Sequence, residues 1–335
     1  MAAVAGIRAW PRPVVLALET LAVAASYYAT GRLGTVRQVN VEETVVSPIW
    51  PPSGLAVASL LVLGPRAVPG IALGSLLTIM TLTTRDPAAA VISLSGSIAG
   101  PACALLLLRR ADFHTDLSRL RDGLALVFAA LAGMSVSAAM GTGALVYDGR
   151  IDSEEFRPVW LARWVGDAMG VVIVTPLLLR LRRVRWPPVP PRHWVQAVAL
   201  SLITAVLVWL AVHRSEGLLF VVFPLLAWGA LSFELAGSML CVLYASVMAS
   251  LAATDHTGPF VNLTELEMMV KLQAFNGSMA LTALLLSAVI TEQRSTRRSV
   301  ELACQELVEV LEHLTGTGPD RGAREPMPGE SGPSL

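Results

Sequence analysis

Arg163 and Asp167 stand one helical turn apart inside the run from Trp160 to Pro176, which is otherwise apolar and long enough to cross a bilayer. An ionisable side chain at mid-membrane carries a penalty of roughly 2.5 to 3.5 kcal/mol, so both groups must face protein or trapped water. Their i, i+4 spacing puts them on one helix face, where they can neutralise each other as a buried pair. The same placement also suits recognition. Asp167 would receive a cationic or hydroxylated ligand, or a proton, while Arg163 holds that carboxylate or binds an anion. Trp164 follows Arg163 directly, and Gly166 with Gly170 forms a small-residue face on which a second helix can come close and shield the charges from lipid.

A second polar set, Lys271, Gln273 and Asn276, opens the last apolar run. Amides in membranes hydrogen-bond neighbouring helices for about 1 kcal/mol or less, which is the plain reading of Asn276. The other reading is ligand contact, because this helix leads directly into the following polar segment and a shift of it would carry a signal there. Trp50, Pro51 and Pro52 form a third set at a predicted membrane boundary. A boundary tryptophan anchors at the interface, and the two prolines must start or distort a helix. Helix N-termini aimed into a membrane cavity attract anions, which makes Ser53 and Gly54 candidate lining groups.

Other chemistry has little to stand on. Cys103, Cys241 and Cys304 give neither a paired framework nor metal spacing, so no structural disulfide is expected. His114, His193, His213, His256 and His313 are scattered without ligand spacing. No Gly-rich phosphate loop, nucleophile elbow or zinc motif occurs, so neither a catalytic residue, a metal nor a cofactor is expected and the chain does not read as an enzyme.

The elements that must hold these residues are helices in a bilayer. The 335 residues are 54% hydrophobic and 15% charged, with 25 basic and 25 acidic side chains. That composition predicts an all-α, polytopic integral membrane protein and gives no footprint for nucleic acid. Windows of 17 to 25 apolar residues predict spans at 14–30, 66–82, 88–108, 124–147, 160–181, 194–212, 235–253 and 268–290. Two shorter, Pro-marked segments, 55–63 after Pro51 and Pro52 and 218–233, read as half-helices or re-entrant hairpins. Between eight and ten crossings result, and an even number places both termini on one side. Arg109, Arg110, Arg119 and Arg121, then Arg180, Arg182, Arg183, Arg185 and Arg192, then Arg294, Arg297 and Arg298 fall on that side, which the positive-inside rule makes cytoplasmic. The N-terminal arginines and the first apolar stretch imitate a secretory signal, but Glu19 interrupts its core and a retained span is expected. Pro48 and Trp50 before one short segment echo Pro224 and Trp228 within the other, a trace of an internal repeat.

The domain plan is a tail over 1–12, a membrane domain over 13–292, a helical stub over 293–314 and a disordered Gly-, Pro- and Ser-rich tail over 315–335. In the stub Val300, Leu307 and Leu314 recur every seven residues, with Ala303 or Cys304 and Val310 or Leu311 between them, a seam of about two heptads.

Several stretches, in order, resemble the first type of membrane-associated sensor domain, MASE type one, a bacterial integral-membrane sensory module. They are Ser47-Pro-Ile-Trp-Pro-Pro-Ser-Gly54, Leu63-Gly-Pro-Arg66 with Pro69 to Gly74, Arg163-Trp-Val-Gly-Asp-Ala-Met-Gly170 through Thr175-Pro176, Phe223 to Trp228, Gly258-Pro-Phe260, and Leu272 to Phe275 before Glu292-Gln-Arg294. The likeness covers roughly residues 14 to 294. It implies a module that senses a ligand or membrane signal and usually precedes a cytoplasmic histidine kinase, diguanylate cyclase or phosphatase. This chain carries no phosphoacceptor helix, ATP-binding region or nucleotide-cyclising motif after its stub, so no output domain of its own is expected.

The expectation is therefore a bacterial inner-membrane receptor module for a small ligand, signalling through its last helix to a separate kinase or cyclase. The bilayer is its first partner, and a second copy of the chain is a candidate one. A small-solute transporter is the alternative, and a scaffold whose stub docks a partner is a third reading.

Overall fold

The computed structural model describes residues 12–35, 39–41, 44–82, 86–183, 191–214 and 216–316. The expected tails at 1–12 and 315–335, and His193, fall wholly or largely outside the described residues or side chains.

Apolar runs become helices here, and breakers end them. Helix α1 (Arg12–Gly34) is followed by a small antiparallel hairpin of β1 (Val39–Val41) and β2 (Thr44–Val46), which hydropathy does not announce. Helix α2 (Pro51–Leu63) starts with its two prolines in the first turn, where a missing N–H loses no intrahelical bond. It ends at Gly64, whose φ of 63° with ψ of −146° lies in a region that favours glycine. One 3-10 turn leads into α3 (Val68–Leu82). Helix α4 (Pro87–Arg110) is capped by Asp86, whose carboxylate accepts from the Ala88 N–H at 2.8 Å. Then follow α5 (Leu120–Tyr147), α6 (Phe156–Arg183), α7 (Pro191–Arg214), α8 (Val222–Thr254) and α9 (Glu265–Gly316). A capping box opens α9. The Glu267 N–H donates to Thr264 Oγ1 at 3.3 Å, and the Thr264 N–H donates to Glu267 Oε2 at 3.0 Å.

Among the described residues eight helical stretches are long and apolar enough to cross a membrane. Two of the eight are composite. Pro52 near the start of α2 and Thr78 near the end of α3 both flank Gly31 of α1, while Gly70 at the start of α3 lies against Thr20 and Val23. The chain therefore reverses at Gly64, and α2 with α3 is a helical hairpin packed on α1. Helix α8 does the same at Glu234, where the backbone leaves the helical region (φ 54°, ψ −141°). A methyl on Gly229 would lie 3.0 Å from the Gly237 carbonyl carbon, a closeness that eight residues of straight helix, about 12 Å long, forbid. Each short segment that the sequence marked is thus the first arm of a hairpin.

Large apolar side chains such as Leu106, Phe128, Leu202 and Val206 are exposed on the outside of the bundle, while Met134, Ile173, Met239, Leu272 and Leu284 are fully buried. Lipid tolerates that outer surface and water does not. The protein is multi-pass, with an all-α membrane-spanning bundle. The described residues divide after Glu292. From Gln293 onward they form a helical stretch with an Arg297–Glu301 ion pair at 3.8 Å and exposed Val300, Leu302, Leu307 and Val310.

Candidate functional site

Helices α5 and α6 run antiparallel and are joined by two tryptophans. Trp160 Nε1 donates to the Ser135 carbonyl at 3.3 Å and Trp164 Nε1 to the Leu131 carbonyl at 2.6 Å, with the two rings stacked at a centroid distance of 5.2 Å. Further along the same seam lie the charged residues. The Ser137 hydroxyl donates to Asp167 Oδ2 at 3.3 Å, and Asp167 is only 5% exposed. The Arg163 guanidinium covers Gly141, where a methyl group would meet Nε, Cζ and Nη2 at 2.7 to 2.8 Å. Residues 137 and 141 are one turn apart on α5, as 167 and 163 are on α6, so carboxylate and guanidinium sit one above the other.

They do not pair. No Arg163 nitrogen lies within the 4.0 Å of an Asp167 oxygen that defines an ion pair, unlike Arg180 with Glu234 or Arg297 with Glu301. The buried Nε of Arg163 has no hydrogen-bond partner. Of the two readings of this spacing, mutual neutralisation through direct contact is not what the structure contains.

The Trp50 segment joins three helices. Trp50 and Pro51 pack on Gly34 of α1, and Pro52 lies 3.7 Å from where a Gly31 methyl would be. The Trp50 N–H donates to the Gly166 carbonyl at 3.0 Å. The Ser53 hydroxyl lies 2.7 Å from the Trp50 carbonyl and 2.8 Å from the Asp167 carbonyl, and the Thr175 hydroxyl donates to the Gly54 carbonyl at 2.9 Å. Helices α2 and α6 therefore run parallel with their backbones touching. A methyl on Gly54 would fall 2.1 Å from the Gly170 oxygen, and one on Gly170 would fall 1.9 Å from the Trp50 oxygen. The hydroxyl of Ser53 is thus directed to backbone carbonyls that fix the position of Asp167.

Helix α9 follows α6 on another side. Met269 packs with Ala162, and Gly277 lies beside Met169. Gln273 Nε2 donates to the Pro48 carbonyl at 2.8 Å, while its Oε1 is buried without a partner. Asn276, fully buried, has no partner for either side-chain atom. Lys271 Nζ donates to the Pro259 carbonyl at 2.6 Å, and among the described residues of α9 the buried side-chain atoms without a partner belong to Gln273 and Asn276.

Sequence reasoning missed the groups that complete the cluster. Tyr27 of α1, 4% exposed, has its phenol beside Ser75 of α3 and Ser97 of α4. Ser137 was likewise unmarked. Single hydroxyls in apolar spans look alike whichever way they point, and only the packing reveals them. Among the described residues no group of three or more His, Cys, Asp or Glu could hold a metal ion. Cys103, Cys241 and Cys304 are free thiols.

A buried carboxylate beside a part-buried guanidinium, adjacent but not joined, can hold a small polar molecule, or carry a proton or ion, inside a membrane. No curated protein and no solved structure matches the chain. Residues 19–294, most of the chain, match the sequence model of MASE1, and the protein belongs to this family of membrane-associated sensory domains.

Proposed function

We propose that the protein is a receptor module of the bacterial inner membrane that binds a small ligand at the Arg163–Asp167 cluster and signals through α9 to a separate cytoplasmic partner, a kinase or a cyclase. Both termini lie in the cytoplasm. The arginine-rich connections after α4 and α6, and the arginines that follow residue 292, support this orientation. The end of the bundle that carries Trp50 then faces outward. The observation that carries the reading is the separated pair itself. Structural charges in membranes are mutually neutralised, whereas Arg163 retains an unpartnered buried Nε one turn from Asp167. Helix α9 supports the output, since one helix extends from Gln273 and Asn276 to residue 316.

A second reading, a small-solute transporter, is favoured by a specific feature. Gly64 (φ 63°, ψ −146°) and Glu234 (φ 54°, ψ −141°) break two helical hairpins with the same backbone conformation. In each case the second arm runs parallel to the helix that precedes the hairpin. Gly70 and Gly74 meet Thr20 to Tyr27 of α1, and Cys241 and Tyr244 meet Thr204 and Ala205 of α7. Such repeated units are common in transporters.

One preparation separates the two readings. Cys304 is the exposed thiol among the three and takes a fluorophore selectively. The labelled protein in liposomes is challenged with a small-solute library while solute uptake is measured in parallel. A receptor changes the signal at Cys304 without net flux. Net flux driven by a gradient, with the label unaffected, establishes the transporter instead.

A further inference from the structure

We infer that the Arg163–Asp167 cluster is a divided site for a small zwitterion, with a ligand carboxylate against Arg163 and a ligand ammonium against Asp167. This rests on the receptor reading and names the ligand class of that site.

The argument starts from the unequal satisfaction of the two charges. Asp167 has one side-chain hydrogen bond, from Ser137 at 3.3 Å, which is long for a donor to a carboxylate. Arg163 has an orphaned Nε and lies flat over Gly141, a position that no larger residue could occupy without displacing it. Buried groups of this kind in native proteins have partners. A purely anionic ligand would satisfy the guanidinium and be repelled by the carboxylate one turn below. A purely cationic ligand meets the reverse conflict. A molecule that carries both charges, one tetrahedral carbon apart, satisfies both without adding net charge to the bilayer interior, where net charge is costly.

Geometry supports the same class. The two side chains leave α6 one helical turn, about 5.4 Å, apart, and charge-assisted hydrogen bonds are about 2.8 Å long, so the spacing is on the scale of a short zwitterion. The surrounding walls favour a small one. On the α4–α5 seam a methyl on Gly100 would meet the Ser137 Cβ at 2.6 Å, and one on Gly133 would meet the Ala104 Cβ at 2.8 Å, so these helices lie close together beside the site.

The test is equilibrium binding to the full chain in lipid nanodiscs. The probes are radiolabelled glycine, alanine and glycine betaine, with acetate, methylammonium, inorganic phosphate and glycine methyl ester as unlabelled competitors. The expected result is saturable binding of at least one zwitterion, no displacement at equal concentration by the competitors that carry charge of one sign only, and a weakening of about ten-fold or more in each of Asp167→Asn and Arg163→Gln. The competitor panel on the unmodified protein decides the matter by itself if either variant fails to fold. Acetate, phosphate, methylammonium or glycine methyl ester competing as well as the zwitterions overturns the inference and leaves a receptor for a ligand with charge of one sign. Zwitterion binding undiminished in both variants overturns it by locating the ligand elsewhere. Binding of none of the three labelled probes also overturns it, and the library screen at Cys304 then judges the receptor reading separately.

Discussion

Gly54 and Gly170 meet where α2 crosses α6, and the contact is between backbones, so nothing nearby can yield by rotating a side chain. Gly54→Ala or Gly170→Ala should destabilise the detergent-solubilised protein by about 1 to 3 kcal/mol, as overpacking does. Gly143 is the internal control. It is helical, nothing lies within 4 Å of an added methyl, and Gly143→Ala should be neutral or stabilising by up to about 1 kcal/mol. Thermal melts of the three variants check this, and equal melting temperatures for all three would contradict the packing account. Gly141 makes a different prediction, because its added methyl meets a long, movable side chain. Gly141→Ala should leave the melting temperature within a few degrees and displace the Arg163 guanidinium, weakening whatever binds there. Arg163 and Asp167 were visible in the sequence because a charge in an apolar run is conspicuous. Their neighbours Ser137 and Tyr27 were not, since the direction of a hydroxyl is a property of packing and not of composition.

At the scale of elements, the two hairpins depend on residues held at positive φ. Gly64→Ala should lower stability by about 1 to 2 kcal/mol although the new methyl touches nothing, because the cost is in the backbone. Glu234 occupies the equivalent conformation without being glycine, a strain that persists only when its surroundings enforce it. Arg180 of α6 holds its carboxylate, and the Ser238 hydroxyl, one turn on, lies 2.7 Å from Ser287 of α9. The break in α8 thus ties the helix of Asp167 to α9. Arg180→Gln should uncouple them, so that a ligand still binds at the cluster while the signal at Cys304 is lost. Retention of both would remove the hinge from the signalling path. The spans themselves were legible, since length and hydropathy suffice for a helix in lipid. The reversal at Glu234 is not legible, because glutamate does not announce a turn as Gly64-Pro65 does.

For the whole molecule, the central division falls between a bundle that ends at Glu292 and the helical stretch beyond it. Val300, Leu302, Leu307 and Val310 are more than half exposed there, an apolar surface that water does not favour. Deleting residues 299–314 should leave membrane insertion, thermal stability and ligand binding unchanged while abolishing association with the partner. Loss of insertion or stability would make the segment part of the fold. The family resemblance was readable from ordered short motifs because those motifs include the close contacts, Trp50 to Gly54 against Gly166 to Gly170, that align α2 with α6.

The most direct test compares the Cys304-labelled protein with its Asp167→Asn variant, both in nanodiscs and both verified as folded by their melting temperatures, during titration with a bound zwitterion. The account predicts a saturable change at Cys304 in the unmodified protein and its loss, or a shift of about ten-fold or more to higher concentration, in the variant. An identical titration curve for the two proteins would show that the Asp167 carboxylate takes no part in recognition.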